Sequence, residues 1–179
     1  LDLGCGDGVL LDALHKHKQV TGYGIEIDTD NILKCIERGV NVIHSNLDAG
    51  LSEFDADSFD YVIMTQTIQA MRFPDRLIDE MLRIGKEGIV TFPNMGHWKC
   101  RLQILAGRMP VTRHLPHTWY DTPNIHMCTL DDFEDLCAKN GIEVLERAIV
   151  DSQHRARAGI RLLPNLLAEI AIYRVKRRG

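Results

Sequence analysis

Leu1-Asp2-Leu3-Gly4-Cys5-Gly6-Asp7-Gly8 opens the chain and decides its fold. A short apolar run that carries one acid, Asp2, is followed at once by glycines at every second position. Glycine has no Cβ atom, so the main chain can turn sharply here and a ligand can lie directly against it. A helix is expected next, and its helical spacing of apolar residues predicts an inward face made of Val9, Leu10, Ala13 and Leu14. The stretch therefore predicts a strand, a bare turn, and a helix whose positive amino-terminal end faces the turn.

Strand-like apolar runs alternate with helical patterns along the rest of the chain, which is typical of βαβ units. Strands are predicted at 1–3, 20–27, 40–44, 59–65, 88–92, 142–150 and 166–175. We expect no helix between the last two strands, so the last strand should run antiparallel. The sequence therefore predicts an α/β fold, with a doubly wound, seven-stranded, mostly parallel sheet and an antiparallel last strand.

The intervening helices carry recognisable start and stop signals. Asp28 or Thr29 is expected to cap a helix that ends at Gly39, and Pro74 to open a helix over 75–84. A third helix is expected at 97–105, and Thr129 is expected to cap a fourth over 130–139. The predicted inward residues are Ile32, Leu33 and Ile36 in the first of these helices and Leu77, Met81 and Ile84 in the second.

Bulk properties exclude several classes of protein. The 179 residues suffice for one well-cored domain, and the net charge of −4 argues against a general nucleic-acid binder. No apolar run approaches the roughly 20 residues of a membrane span. Five scattered cysteines are typical of reduced thiols in a cytoplasmic protein. We expect a single domain over 1–179 that is incomplete at its amino terminus, because the chain begins without Met and inside a strand.

Two segments lack regular patterning. Residues 107–126 contain three prolines, Trp119 and Tyr120, and a loop of this length in a compact domain is usually functional or mobile. Residues 152–165 are polar and Arg-rich, so we expect an exposed or disordered connection there.

The acid in the first strand indicates what the glycine turn binds. A buried carboxylate without a partner is costly, so Asp2 is expected to bind a cationic ligand. Asp2 and Asp7 would repel a pyrophosphate, and the G-x-G-x-G spacing differs from the G-x-G-x-x-G dinucleotide fingerprint. We therefore expect a ligand with an ammonium, a carboxylate and a nucleoside, such as S-adenosylmethionine, lying against Gly4, Cys5, Gly6 and Gly8. A dinucleotide and a purely structural tight turn are the alternatives.

Further binding residues follow the next three strands. Glu26 is predicted to accept hydrogen bonds from ribose hydroxyls, and Ile27 to press on the adenine face. Asn46 is expected to accept from the adenine amino group, with the main-chain amide of Leu47 donating to the ring. Gln66, at the start of Gln66-Thr67-Ile68-Gln69, is expected to line the floor beside the reacting methyl. The alternatives are a capping or solvated acid at Glu26, a simple turn residue at Asn46 and local capping by residues 66–69.

His97, after the fifth strand, is the candidate acid or base by position, although a lone histidine more often serves hydrogen bonding than catalysis. The pair His114 and His117 matches no compact zinc pattern, so no metal is predicted.

These residues resemble the first motif, the acidic ribose-binding position and the fifth-strand exit of class I S-adenosylmethionine-dependent methyltransferases, which have a Rossmann-like fold. More narrowly, four stretches resemble the methionine-biosynthesis family MetW: Gly22-Tyr23-Gly24-Ile25-Glu26-Ile27-Asp28, residues 65–70, residues 92–98 and residues 119–126. The resemblance implies a bacterial protein of methionine synthesis that is associated with homoserine O-acetyltransferase, often called MetX.

Two positions depart from the superfamily pattern. Many members have Asp where Asn46 stands, and many small-molecule methyltransferases have His where Ala70 aligns. Two functions therefore stay open. The chain is either an enzyme that methylates a small metabolite or a non-catalytic partner that senses S-adenosylmethionine and regulates MetX.

Overall fold

The computed structural model describes residues 1–150 and 162–178. Its seven-stranded sheet has the order β3-β2-β1-β4-β5-β7-β6. The strands are β1 (Asp2–Leu3), β2 (Gly24–Glu26), β3 (Val42–His44), β4 (Phe59–Thr65), β5 (Gly85–Pro93), β6 (Ile142–Val150) and β7 (Ile170–Arg177). The first five strands pair in parallel, whereas β7 runs antiparallel to both β5 and β6. The predicted fold class and the antiparallel last strand are confirmed.

The helices are α1 (Val9–Lys18), α2 (Thr29–Glu37), α3 (Pro74–Ile84), α4 (Trp98–Leu105), α5 (Leu130–Lys139) and α6 (Pro164–Leu167). Asp28 caps α2 by accepting from the amides of Asp30 and Asn31. Thr129 caps α5 in a reciprocal capping box with Asp132. Both caps were among those expected from the sequence.

Several boundary predictions were wrong. The short helix α6 precedes β7, so residues 166 and 167 are helical and the last two strands are not joined without a helix. Pro164 begins this helix, since a proline at the first helical position forfeits no hydrogen bond. Strands β2 and β3 are shorter than predicted, and β5 is longer. Of the predicted connection over 152–165, residues 152–161 lie outside the described part of the chain.

The main core lies between the sheet and the helices α3 and α5. In α3 the predicted inward residues Leu77, Met81 and Ile84 are all buried. Phe92, Phe133 and Tyr173 form an aromatic cluster in this core, with ring centroids 4.7–5.9 Å apart. This packing supports the sheet near the end of β5 and the start of β7, which are paired.

The predicted inward faces of α1 and α2 were wrong. Val9 is 50% exposed, and Leu11 is the buried residue of α1. In α2, Leu33 and Ile36 are more than half exposed, whereas Cys35 is fully buried. The Cys35 sulfur packs against the glycine turn, where a Cβ at Gly8 would lie only 2.9 Å from it.

No helix among the described residues is long and apolar enough to cross a membrane.

Candidate functional site

The parallel strands β1, β2 and β3 end at the same edge of the sheet, and the glycine turn lies there; the space beside this turn is called the crevice below. Gly4, Gly6 and Gly8 have φ angles of 72°, 55° and 77°, a left-handed conformation that favours glycine. A Cβ at Gly4 would lie 2.7 Å from two atoms of Thr67, so the turn packs tightly there. A Cβ at Gly6 would meet nothing within 4 Å. Gly6 therefore presents bare main chain to open space.

Asp2 lies beside this floor and is only 1% exposed. Its Oδ1 atom is buried and accepts no hydrogen bond within the described part of the chain. Burial raises the pKa of the carboxyl group from 3.8 to about 6, and the nearby charge of Glu26 adds to the rise. The fold thus holds an acid that is ionised at neutral pH while one of its oxygens lacks a hydrogen bond, which is the arrangement expected of a site for a cation.

Glu26 links the end of β2 to the glycine turn. Its Oε2 accepts from the Gly6 amide at 2.8 Å, and its Oε1 accepts from the amides of Ile27 and Asp28 at 2.8 and 3.0 Å. A carboxylate has about four acceptor positions, so these bonds leave about one for a ligand hydroxyl. The carboxylate lies where ribose recognition was predicted, and it already anchors the turn.

Ile27, Asn46 and Leu47 line the same rim. The Ile27 side chain is 57% exposed, an apolar surface beside Glu26. Asn46 caps a short 3-10 helix, since its Oδ1 accepts from the Asp48 amide at 3.0 Å. The side-chain oxygen predicted to recognise adenine is thus also used locally, and Leu47 is buried behind it.

The turn after β4 forms the other side of the crevice. Gln66 has a left-handed φ of 53°, and its main-chain amide donates a hydrogen bond to the Thr91 carbonyl. Gln69 is buried, and its side-chain nitrogen donates to the Gln66 carbonyl at 2.6 Å. The main-chain oxygen of Gln69 accepts from the amides of Ile125 and His126 at 2.8 and 2.9 Å. The end of segment 107–126 is therefore fixed to this turn.

Two thiols lie under the glycine turn. The Cys5 and Cys35 sulfurs are 3.9 Å apart, and the Cys35 thiol donates to the Gly6 carbonyl at 3.2 Å. Burial raises the pKa of both thiols. Cys5 therefore supports the turn from below as a neutral group.

His97 does not join the residues of the crevice. It lies after β5, two strands from β1 and so about 10 Å across the sheet. The residue is 5% exposed, and burial lowers its pKa, so the imidazole is neutral at pH 7. It lines a separate cavity with Lys99 and Glu169.

Sequence reasoning missed Cys35 and Glu169. Cys35 carried no signal, because a lone cysteine in an amphipathic helix is ordinary. Glu169 could have been found, since an acid directly before a strand antiparallel to β5 must lie at the carboxyl end of β5.

Comparisons with known proteins agree with this architecture. A family model described as methionine biosynthesis protein MetW matches residues 1–175. The bifunctional methionine biosynthesis protein MetXA/MetW of Rhodopirellula baltica is 34% identical over 182 residues. That alignment covers 96% of this chain but 29% of the relative, so the chain spans less than a third of that protein's length.

Solved structures share the fold at low identity. A putative methyltransferase in complex with the Haloferax volcanii activator Trm112 has a TM-score of 0.71 at 15% identity, over 99% of this chain and 81% of its own. A possible histamine N-methyltransferase of Thermotoga maritima has a TM-score of 0.68 at 18% identity, over 99% and 80%. These likenesses show a class I methyltransferase fold, and the family match shows that the chain belongs to the MetW family of methionine biosynthesis proteins.

Proposed function

We propose that this protein binds S-adenosylmethionine in the crevice at the ends of β1–β3 and transfers its methyl group to a small metabolite in methionine biosynthesis. The observation that carries the proposal is Asp2, a buried carboxylate with an orphaned oxygen beside bare main chain. S-adenosylmethionine offers two cationic groups, an ammonium and a sulfonium. Either satisfies a desolvated anion better than a neutral ligand could.

The residues present fit this cofactor. Asp2 and the main chain of Gly4, Cys5, Gly6 and Gly8 would hold the methionine portion. Glu26 would accept from the ribose through its remaining acceptor position. The adenine would lie between Ile27 and the rim formed by Asn46 and Leu47, and Gln66 would line the floor near the methyl group.

Bound S-adenosylmethionine supplies an electrophilic methyl group. The chain's own residues need only position the two reactants and exclude water, because such a transfer requires alignment more than proton movement. The absence of a general base from the crevice residues described above is therefore compatible with the reaction. His97, the acid or base expected from the sequence, lies in the separate cavity after β5, so the proposed transfer does not depend on it.

A second function is favoured by one finding, the fused relative MetXA/MetW. In this alternative the chain is a non-catalytic partner that regulates homoserine O-acetyltransferase in response to S-adenosylmethionine. The contact surface would be segment 107–126, where Trp119 and Tyr120 are each 74% exposed. Coupling of this kind is reciprocal, so the acetyltransferase would also change the affinity for the cofactor.

We also propose that the chain is a single domain and acts in the bacterial cytoplasm. The fused bacterial relative and the free cysteines among the described residues support this setting.

One experiment separates the two functions. The purified protein is first titrated with S-adenosylmethionine by calorimetry, then incubated with methyl-labelled cofactor and a bacterial metabolite extract. Label in a small molecule supports the methyltransferase. Binding without transfer, together with co-purification of the acetyltransferase and a cofactor-dependent change in its rate, supports the partner. Failure to bind the cofactor contradicts both.

A further inference from the structure

A cavity of about 240 Å³ lies beyond the proposed cofactor crevice, at the carboxyl end of β5 and the start of β7. Its volume corresponds to about eight water molecules, which is the scale of a small metabolite. The residues that matter for its chemistry are His97, Lys99, Arg113 and Glu169, set among apolar walls that include Pro93 and Cys100.

One side of the cavity is held by Asn94. Its side-chain nitrogen donates to the carbonyls of Asn165 and Ala168, both at 2.9 Å, and its side-chain oxygen accepts from the Gly96 amide at 2.8 Å. The main-chain N–H of Asn94 also donates to the main-chain carbonyl of Glu169 at 2.9 Å. The end of β5 and the residue before β7 are thus one fixed unit.

The opposite side is the segment 111–115. Gln103 in α4 exchanges two hydrogen bonds with the main chain of Val111, at 3.0 and 3.2 Å. Thr112 and Leu115 pair through their main chains, and Leu115 is buried. The cavity therefore has two supported walls and is not a gap beside a loose loop.

The charges that line the cavity have a net positive sign. The Glu169 carboxylate lies 3.5 Å from the Lys99 Nζ atom and 3.9 Å from Nε2 of His114, which also lines the cavity. The charges of Glu169 and Lys99 offset each other. Arg113 also lines the cavity, and among the described residues it takes part in no ion pair. His97 is neutral at pH 7 because burial lowers its pKa, so it adds hydrogen-bonding capacity without charge. An anion is the ligand that this arrangement favours.

We propose that this cavity binds a small carboxylic acid, with its carboxylate held by Arg113 and Lys99 and its short chain against the apolar walls. The carboxylate would compete with Glu169 for Lys99 and pair directly with the guanidinium of Arg113. This inference concerns binding in the cavity alone and does not require the proposed methyltransferase function.

Three five-carbon probes with different head groups test the charge preference: pentanoate, pentan-1-ol and pentylamine. Binding to the full chain is measured by ligand-observed NMR at millimolar concentration, with and without S-adenosylmethionine. We expect pentanoate to bind more tightly than the alcohol, and the amine to bind least. In the double variant Lys99→Gln/Arg113→Gln, pentanoate should bind about tenfold more weakly. Both side chains belong to exposed residues, so the fold should be retained, as circular dichroism would verify.

Lys86→Gln is the matched control, because Lys86 is exposed and pairs with Asp60 near the start of β4, away from the cavity. Equal binding of pentylamine and pentanoate would overturn the inference, as would unchanged binding in the double variant or no pentanoate binding at all. A titration with S-adenosylmethionine on the same sample separates this failure from failure of the proposed function.

Discussion

Replacing Asp2 by asparagine is expected to weaken S-adenosylmethionine binding without weakening the fold. Burial raises the Asp2 pKa from 3.8 to about 6, so the unfolded chain releases this proton at lower pH than the folded chain does. The raised pKa therefore contributes to the free energy of unfolding below about pH 4. This contribution is lost as the pH rises from about 4 to about 6. Two pKa units correspond to about 3 kcal/mol, which is the cost of the ionised carboxylate at neutral pH.

The substitution Asp2→Asn would remove that cost but would bury an amide that lacks full hydrogen bonding, at about 1–3 kcal/mol. The free energy of unfolding at pH 7 should therefore be unchanged or rise by up to about 2 kcal/mol. The affinity for S-adenosylmethionine should fall about tenfold or more, since a charge-assisted contact is lost. In the wild type, protonation of Asp2 should also reduce the affinity about tenfold between pH 7 and pH 5.

Calorimetric titration at both pH values and urea unfolding at pH 7 measure these quantities. Asp60→Asn is the control, because Asp60 is exposed and paired with Lys86 outside the crevice. The reasoning is refuted if Asp2→Asn binds the cofactor as tightly as wild type. It is also refuted if the variant is destabilised by more than about 1 kcal/mol, since Asp2 would then serve the fold.

Three further outcomes are expected. Gly6→Ala and Gly39→Ala should each cost about 1–2 kcal/mol of stability, since both glycines have positive φ and open space at Cβ. Only Gly6→Ala should also weaken the binding of S-adenosylmethionine. If calorimetry gives both variants the same affinity, the placement of the ligand is contradicted. Glu26→Gln should lower the free energy of unfolding by about 1–3 kcal/mol, because its amide nitrogen replaces an acceptor of main-chain bonds; wild-type stability in urea would show that those bonds contribute little. Tyr173→Phe should cost about 1.5–3 kcal/mol by losing the 2.7 Å bond to Glu134, whereas Tyr120→Phe at the surface should be neutral in thermal unfolding; an equal effect of both would argue against this buried bond.

Elements with strong local signals were predictable. Strand β4 has the predicted bounds, Phe59–Thr65, because a mostly apolar run rich in β-branched and aromatic residues between turn residues has few alternatives. Helix α5 begins at Leu130 as predicted, since Thr129 and Asp132 form the capping box locally. The antiparallel direction of β7 was predicted correctly, but from the expected absence of a helix between the last two strands, which α6 contradicts.

Predictions that depended on which surface is covered did worse. Apolar periodicity placed Leu33 and Ile36 of α2 inward, but periodicity reports which residues are apolar and not which are covered. The side of α2 that is covered is the one that faces the glycine turn, where the buried Cys35 sulfur packs against Gly8. The position of these residues at strand ends was predictable from the sequence. The hydrogen bonds that Glu26 and Asn46 make to nearby main-chain amides were not, because they depend on the exact path of the turns.

The two bonds to the Gln69 oxygen have a mechanical consequence. The turn at 66–69 cannot shift without dragging residues 125 and 126 along or breaking both contacts. Those residues end the stretch whose tip bears Trp119 and Tyr120. Under the proposed function, a ligand that displaced this turn would therefore also displace the end of segment 107–126, through one main-chain oxygen.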